Sequence, residues 1–169
     1  MSRKTIYQTT ITIQDYQLTL YKTDHGLALI TTTMDQPDNF SENWLTKTFK
    51  NYQLVQDKHL FDTERNQLSA YLNAETSTFD FPIDLYGTAF QKIVWRQLQQ
   101  VPYGETYSYS ELANSIDRPE AVRAVSRAIG QNPLLIVVPC HRVIGKNKKL
   151  TGFRSGLALK QALINLESK

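Results

Sequence analysis

A cysteine and a histidine lie side by side in the stretch IVVPCHRVIG, which runs from residue 136 to residue 145. Cys140 is the only cysteine of the chain, and His141 follows it directly. A thiolate is a strong nucleophile, and an imidazole can remove the proton that a thiol must lose near neutral pH. The alternative is a small buried residue without chemistry, because free cysteine is among the most buried residue types. The pair is a candidate for thiol chemistry, and the imidazole needs a third group to orient it.

The apolar residues before Cys140 predict a buried strand that ends at the thiol. Neighbouring side chains on an extended backbone point to opposite sides. His141 is therefore not expected to take the Cys140 proton directly, unless the chain turns sharply there. We expect a water molecule or another group to connect the two side chains.

The charge of the chain is distributed unevenly. The 169 residues carry a formal net charge of +3. Residues 1–85 hold seven basic and eleven acidic side chains, whereas residues 86–169 hold twelve basic and five acidic ones. A basic half beside an acidic half suggests a face that binds a polyanion such as nucleic acid. The alternative is a solvated surface with no partner.

The composition disfavours several classes of protein. One cysteine forms neither an internal disulfide nor a zinc site of several thiolates, and it fits a reducing cytoplasm. No apolar run approaches the roughly 20 residues of a membrane span. The N-terminus, MSRKTIYQTT, lacks the apolar stretch of a signal peptide. We therefore expect a cytoplasmic protein with no membrane partner and no metal.

The first domain, residues 1–85, is predicted to have an α+β fold. Apolar residues alternate with others between residues 5 and 33, and turn residues separate three such segments. This pattern predicts a three-stranded antiparallel sheet. Two helices are predicted next, one after Ser41 and one from near Thr63. The segment 76–86 is predicted to be an extended connection to the second domain.

The second domain, residues 86–169, is predicted to be mostly helical. Its first helix begins at Thr88. The apolar face of this helix is predicted from four residues: Phe90, Ile93, Val94 and Leu98. Further along, Ser108 and Glu111 form a capping-box pattern, which predicts a short helix through about Ile116.

A second short helix is predicted after a tight turn, with Pro119 at its first position and Gly130 as a left-handed C-cap. Five of its residues are predicted to face the core: Ala121, Val122, Val125, Ala128 and Ile129. Arg123, Ser126 and Arg127 lie on another side. Two short helices with arginines on the outer side of the second are typical of a helix-turn-helix that binds DNA. The alternative is a structural helical hairpin with solvated arginines.

The segments around the thiol and around the helix-turn-helix together resemble the O6-alkylguanine-DNA alkyltransferases. These repair proteins are also called methylated-DNA–protein-cysteine methyltransferases. The matching segments are GTAFQ at 87–91, PYGETYSYSELA at 102–113, RAV at 123–125, NP at 132–133, PCHRVIG at 139–145 and LTGF at 150–153. The resemblance implies an N-terminal domain with a ribonuclease H-like outline, followed by a winged helix-turn-helix domain. The N-terminal half matches only in outline.

The resemblance implies that Cys140 accepts the alkyl group from O6 of an alkylated guanine. His141 is similar to the family's general base, which acts through a bound water, and Glu167 stands where the family has the acidic partner of that histidine. Asn132 matches the asparagine that bridges the recognition helix and the active-site segment. Tyr109 matches the tyrosine that donates a proton or a hydrogen bond toward guanine N3. Without the resemblance, Glu167 would be taken for a solvated terminal carboxylate.

Five further residues are implied to form the substrate pocket: Val143, Phe153, Arg154, Ser155 and Lys160. The backbone of Val143 and the backbone near Arg154 are expected to contact the guanine. Phe153 stands where a tyrosine is common and keeps a ring that can stack on the base. Ser155 replaces a frequent glycine, which narrows the pocket. Lys160 corresponds to a lysine near the active site, and an exposed helix residue is the alternative.

The resemblance also implies how DNA is bound. The second helix of the helix-turn-helix lies in the minor groove of double-stranded DNA that contains O6-alkylguanine, and Arg123 fills the space that the flipped base leaves. Ala121 and Ala124 are small and allow close approach, and Ser126 and Arg127 complete the DNA-binding set. No cofactor is implied, because the protein itself is consumed. A monomer is expected, and activity on O4-alkylthymine is left open.

Two other functions also remain open from the sequence. A DNA-binding damage sensor or regulator would keep the basic second half without needing Cys140 to react. A cysteine hydrolase would use Cys140, His141 and Asn132. It would release product over many turnovers, whereas an alkyl acceptor stops after one.

Overall fold

The computed structural model describes residues 2–169, which form two units that divide between Tyr86 and Gly87. The first unit contains a sheet with helices, and the second is mostly helical. The predicted α+β fold class is therefore confirmed. Within the described residues, no helix is both long and apolar enough to cross a membrane.

The first unit is organised around a sheet in which three consecutive strands are antiparallel. These are β1 (Lys4–Ile13), β2 (Tyr16–Thr23) and β3 (Gly26–Thr32), in the order β3-β2-β1. The predicted three-stranded antiparallel sheet is confirmed. A fourth strand, β4 (Tyr52–Gln56), pairs parallel to β1 at the edge of the sheet. The sequence pattern does not predict β4, because none of its five residues is buried and no alternation marks it.

Two helices pack on the strands of the first unit. Helix α1 (Phe40–Thr48) contacts β3, and helix α2 (Asp62–Leu72) contacts β1. In the segment predicted to be an extended connection, Ile83 forms an isolated parallel bridge with Leu27. One cluster of buried residues joins the sheet to α1 and to the residue that follows it: Ile6, Tyr21, Leu29, Leu45 and Phe49.

The second unit carries the candidate thiol. Its elements are α3 (Ala89–Leu98), β5 (Tyr107–Ser108), α4 (Tyr109–Ser115), α5 (Val122–Gly130), β6 (Val143–Ile144) and α6 (Leu157–Glu167). Strands β5 and β6 pair in parallel, with Tyr107 opposite Val143. This small strand pair connects the beginning of α4 to the segment that follows Cys140.

Helix α3 anchors the helix-turn-helix formed by α4 and α5. It begins with a capping box, in which the Gln91 N–H donates to the Thr88 hydroxyl and the Thr88 N–H donates to the Gln91 side chain. The indole of Trp95 is buried and donates its N–H to the carbonyl of Ala128 in α5 at 2.8 Å. The two helices are thus joined by a buried hydrogen bond as well as by apolar contact.

The apolar face of α3 differs in part from the predicted one. Val94 and Leu98 are fully buried, but Ile93 is 39% exposed and Phe90 is only half-buried. The prediction is wrong at Ile93, because Trp95, which was not assigned to the face, provides the largest buried surface. The buried face is therefore rotated toward the Trp95 side of the helix.

The helix-turn-helix begins as predicted and turns differently. Ser108 and Glu111 form the expected capping box at the start of α4. Helix α5 begins at Val122, three residues after Pro119, so the prediction that Pro119 is the first helical residue is wrong. Asp117, with a φ of +59°, reverses the chain before Pro119, which then occupies a turn position that its fixed φ suits.

The end of α5 also differs from the prediction. Gly130 is the last helical residue and its φ is not positive, so the predicted left-handed cap is wrong. The Gln131 N–H donates to the carbonyls of Arg127 and Ala128, which closes the helix without a left-handed residue. The buried face of α5 contains three of the five residues predicted for it: Val125, Ala128 and Ile129. The other two, Ala121 and Val122, are half-buried.

The apolar run before Cys140 is buried, but it is not the predicted strand. The run from 135 to 138 consists of turns and a bend, and the Val138 N–H donates to the Leu134 carbonyl at 2.8 Å. Ile136 has a φ of +74°, which lies outside the region of extended strands. The run therefore fills the core as a compact turn.

Replacing Leu98 with alanine should lower the free energy of unfolding by about 2–5 kcal/mol, because a fully buried leucine leaves a cavity. The control is Ile93→Ala on the same helix, where the side chain is partly solvated and the cost should be about 1 kcal/mol or less. Urea unfolding followed by circular dichroism measures both variants. Equal losses would contradict the orientation of α3.

Candidate functional site

Cys140 begins a 3₁₀ turn, Cys140–Arg142. Its backbone N–H donates to the carbonyl of Val138 at 2.7 Å, and the Arg142 N–H donates to that of Pro139 at 3.0 Å. The chain thus turns sharply at the thiol, and the alternation expected of an extended backbone does not apply. Cys140 is 7% exposed and His141 is fully buried. The two side chains therefore lie in the interior of the unit.

Asn132 fixes the segment that leads to the thiol. Its amide nitrogen donates to the carbonyl of Val138 at 2.8 Å, and its amide oxygen accepts the N–H of Leu134 at 2.9 Å. Asn132 is 2% exposed, so both hydrogen bonds are shielded from water. They connect the end of α5 to the residues that precede Cys140.

Glu167, at the end of α6, contacts both residues that follow the thiol, His141 and Arg142. Its Oε1 lies 2.9 Å from Nε2 of His141 and accepts a hydrogen bond from Nη2 of Arg142 at 2.6 Å. Arg142 Nε also donates to Oε2 at 2.9 Å. The carboxylate is only 5% exposed, so it is not a solvated terminal charge. Sequence reasoning assigned no role to Arg142, although it stands in the motif PCHRV, because its partner is 25 residues away.

Burial and nearby groups act in opposite directions on the thiol. Burial raises the pKa of Cys140 above its ordinary value. A hydrogen bond with Asn132 and the positive charges of Arg154 and Lys160 act against this rise. The net pKa is raised, so the resting thiol is protonated at neutral pH. A base must take the proton before the sulfur can react.

The imidazole of His141 is in the form that can act as such a base. Burial lowers the pKa of His141 below its ordinary value. The hydrogen bond and the charge of Glu167 act against this effect, whereas the positive charges of Arg142 and Lys160 add to it. The imidazole is therefore neutral near neutral pH, and a neutral imidazole can accept a proton.

A small cavity borders the thiol. It is lined by Ile129, Gly130, Asn132, Leu135, Cys140, Gly152, Phe153 and Arg154. The cavity has room for roughly one water molecule. Two of the residues implied to form the substrate pocket, Phe153 and Arg154, line this cavity. The other three, Val143, Ser155 and Lys160, are buried but do not line it.

Among residues 2–169, no group of three or more His, Cys, Asp and Glu side chains could hold a metal ion.

Thr151 contacts two of the other candidate residues, Tyr109 and Lys160. Its hydroxyl lies 2.8 Å from the hydroxyl of Tyr109, and its carbonyl accepts a hydrogen bond from Nζ of Lys160 at 2.9 Å. The same Nζ lies 6.0 Å from the ring centroid of Phe153. Lys160 is 1% exposed, so the exposed helix position considered from the sequence is wrong. Sequence reasoning assigned no role to Thr151, since its side-chain partner, Tyr109, is 42 residues away.

The residues implied to bind DNA are grouped on α5. Arg123, Ala124, Ser126 and Arg127 are exposed, and Ala121 precedes the helix in a half-buried position. The helix contains no acidic residue, so this face is basic. An exposed basic face on the second helix of a helix-turn-helix is suited to the phosphates of DNA.

Comparison with known sequences identifies a family. A family model described as "6-O-methylguanine DNA methyltransferase, DNA binding domain" matches residues 89–169. The inducible methylated-DNA–protein-cysteine methyltransferase of Bacillus subtilis (strain 168) is 39% identical over 168 residues, which cover 99% of this chain and 93% of that protein. The methylated-DNA–protein-cysteine methyltransferase of Mycolicibacterium paratuberculosis is 55% identical over 103 residues, which cover 61% of this chain and 62% of that protein.

Solved structures show the same fold. The crystal structure of Mycobacterium tuberculosis O6-methylguanine methyltransferase superposes with a TM-score of 0.83 at 39% identity, covering 96% of this chain and 93% of that one. A crystal structure of Mycobacterium tuberculosis OGT in complex with DNA superposes with a TM-score of 0.80 at 37% identity, covering 97% and 92% of the two chains.

Replacing Asn132 with alanine should lower the free energy of unfolding by about 1.5–4.5 kcal/mol. The Leu134 N–H loses the hydrogen bond to the Asn132 amide, which costs about 1–3 kcal/mol. The Val138 carbonyl keeps the Cys140 N–H but loses its second hydrogen bond, which costs about 0.5–1.5 kcal/mol. The control is Asn165→Ala, which removes an exposed side-chain hydrogen bond and should change stability by about 0.5 kcal/mol or less. Urea unfolding measures both. A loss at Asn132 no larger than the control would show that the two bonds do not hold this segment.

Proposed function

The chain belongs to the family of methylated-DNA–protein-cysteine methyltransferases, and from this premise we propose that it repairs DNA by moving the alkyl group of an O6-alkylguanine onto Cys140. The observation that carries the proposal is the arrangement around the thiol. Cys140 borders a cavity, beside a buried His141 that is paired with Glu167. The same unit presents a basic helix. Alkyl transfer from DNA needs these three parts: a nucleophile, a base and a face for phosphates.

The reaction begins with the loss of the thiol proton. An ionised Glu167 only accepts hydrogen bonds, so it holds the imidazole proton on Nε2 and leaves Nδ1 of His141 to take a proton. The proton of Cys140 reaches Nδ1 through a water molecule. The bond from sulfur to the alkyl carbon then forms as the bond from that carbon to O6 breaks. The electron pair of the broken bond stays on the guanine, where the hydroxyl of Tyr109 stabilises it by donating toward N3.

The product limits each molecule to one reaction. A thioether on Cys140 has no easy hydrolytic route back to the thiol, so the protein is consumed and no cofactor takes part. A cysteine hydrolase built from Cys140, His141 and Asn132 would regenerate its thiol instead. The number of turnovers therefore separates the two reactions.

The target base must leave the duplex to reach the thiol. Extrusion of a base costs a few kcal/mol and delivers it to a pocket in the protein. The cavity beside the thiol has room for roughly one water molecule, so its walls must open further when a purine enters. Phe153 then stacks on the base, the backbone of Val143 and Arg154 contacts its polar edge, and Ser155 and Lys160 border the pocket. O4 of an alkylated thymine offers the same kind of carbon–oxygen bond.

Helix α5 binds the minor groove of the duplex as part of a monomeric protein. Ala121 and Ala124 are small enough to let the helix approach the bases, and Ser126 and Arg127 meet the backbone. Arg123 fills the space that the extruded base leaves. The relative from Mycobacterium tuberculosis that was crystallised with DNA supports DNA as the partner. The base pairs present similar hydrogen-bonding groups in the minor groove, so a protein bound there distinguishes sequences poorly. This suits a protein that searches for damage in any sequence.

With an excess of methylated duplex, the amount of repaired guanine should reach a plateau at one equivalent of active protein. Intact mass spectrometry should show the gain of a single methyl group, and peptide mapping should place it on Cys140. The matched control is Cys140→Ser, which should bind the duplex but transfer nothing, because a serine hydroxyl is a far weaker nucleophile. Turnover beyond one equivalent, or a methyl group on another residue, would refute the acceptor role and favour the hydrolase.

Arg123→Ala should slow transfer from a methylated duplex more than transfer from free O6-methylguanine base, because only the duplex has a gap to fill. We expect a selective loss of about tenfold or more in the duplex reaction, since tenfold corresponds to about 1.4 kcal/mol. The control is Arg96→Ala, which removes an exposed arginine from α3 in the same unit and should leave the ratio of the two rates unchanged. Equal slowing of both reactions by Arg123→Ala would exclude the gap-filling role.

A further inference from the structure

Arg142 is held in place more completely than a simple counter-ion requires. Its Nε donates to both oxygens of Glu167, at 3.1 and 2.9 Å, and its Nη2 donates to Oε1 at 2.6 Å. Its Nη1 donates to the carbonyl of Val101 at 2.7 Å, and its guanidinium carbon lies 5.6 Å from the ring centroid of Tyr103. Arg142 is 8% exposed. The guanidinium therefore has a single, shielded position against the carboxylate.

The guanidinium and the imidazole compete for the same carboxylate oxygen. Oε1 of Glu167 lies 2.9 Å from Nε2 of His141 and 2.6 Å from Nη2 of Arg142. A buried carboxylate with only the imidazole as partner would favour a second proton on that imidazole. The positive charge of Arg142 offsets the carboxylate and thus reduces its pull on a proton. It also keeps the carboxylate ionised, so that the imidazole proton stays on Nε2.

Other charged groups near His141 do not replace Arg142 in this role. Lys160, also on α6, carries a positive charge that acts in the same direction, but its nitrogen is bonded to the Thr151 carbonyl and not to Glu167. Cys140 is the neighbour in the turn and is neutral at rest. Helix α3 also packs against this turn, and its charged residues Lys92 and Arg96 are not buried. Arg142 is thus the cation that shares a carboxylate oxygen with the imidazole.

We propose that Arg142 is a positioning residue for the transfer reaction: by binding both oxygens of Glu167 it keeps His141 neutral, with Nδ1 free of a proton, so that His141 can accept the proton of Cys140. This inference rests on the proposed function. The inference adds Arg142 to the residues that support the reaction. Arg142 contacts neither the alkyl group nor the guanine and acts through Glu167. Without Arg142, the pair of Glu167 and His141 would hold an extra proton at neutral pH, and the imidazole could not act as a base.

The rival explanation is that Arg142 only holds α6 against the turn. Breaking a buried ion pair costs stability in either case, so unfolding measurements do not separate the two explanations. The pH dependence of the transfer rate does separate the two explanations. A loss of packing alone slows transfer by the same factor at every pH, whereas a change in the proton affinity of His141 moves the pH at which the rate falls.

The test compares the rate of methyl transfer of the native protein, Arg142→Gln and Arg142→Lys between about pH 5 and about pH 9. The native rate falls as the pH decreases through the pKa of His141. In Arg142→Gln the fall should occur at a higher pH, and the rate should recover toward the native one in alkaline solution. Arg142→Lys keeps the charge and should keep the midpoint near the native one. Arg65→Gln removes an exposed arginine–carboxylate pair in the first unit and should change nothing.

Direct titration of His141 by nuclear magnetic resonance provides the second measurement. His25 and His59 are exposed, lie in the first unit and serve as internal references. The His141 resonance should titrate at higher pH in Arg142→Gln. If that variant does not fold, the test compares Glu167→Gln with the double variant Arg142→Gln plus Glu167→Gln, which removes both charges of the buried pair. His141 should titrate at a higher pH in the double variant than in Glu167→Gln, because the positive charge of Arg142 is gone. Equal values would overturn the inference.

The possible outcomes separate this inference from the proposed function. If the native protein transfers no methyl group to Cys140, the proposed function fails, while the titration of His141 still tests the effect of Arg142. If transfer occurs but the midpoint of Arg142→Gln equals the native one, Arg142 has only a structural role and the inference is overturned. One further outcome would overturn the inference: in a folded Arg142→Gln protein, the midpoint of the transfer rate shifts while the His141 resonance titrates at the same pH as in the native protein. Another group would then be responsible for the shift in the rate.

Discussion

The buried carboxylate of Glu167 is the constraint on which the second unit depends. A carboxylate with 5% exposure is costly to bury unless charged or polar groups surround it. Here Arg142 and His141 provide these groups, and both belong to the turn that begins at Cys140. The end of α6 must therefore lie against this turn. Because the guanidinium also binds the Val101 carbonyl, the loop after α3 is fixed by the same charge.

A second constraint explains the position of the thiol itself. The apolar segment before Cys140 is buried as a turn and not as a strand, so its backbone groups need partners other than a sheet. Asn132 provides two of them, to Val138 and to Leu134. A side chain just beyond α5 thus provides hydrogen bonds that a sheet would otherwise supply. The end of helix α5 and the thiol are consequently joined by one hydrogen-bonded segment.

The sequence predicted those features that depend on local pattern. Alternation predicted the three antiparallel strands, and a capping box predicted the start of α4. It did not predict β4, which has no buried face, or the turns before Cys140, because a short apolar run fits a strand and a compact turn equally well. The contacts of Arg142 with Glu167 and of Thr151 with Tyr109 join residues that are 25 and 42 positions apart, so spacing alone could not reveal them. The placement of Glu167 in the interior has the same cause.

These constraints fit a thiol that is expected to react once. Burial raises the pKa of Cys140, so the resting sulfur is protonated and a poor nucleophile toward small reagents in solution. The proposed reaction then requires two things together: a base, His141, whose pKa is lowered by its own burial and by the charge of Arg142, and a substrate that reaches the small cavity beside the thiol. A protein that cannot regenerate its thiol loses a whole molecule to each unwanted reaction. Under the proposed function, a protonated resting thiol beside a neutral base therefore protects the protein until the alkylated base reaches the sulfur.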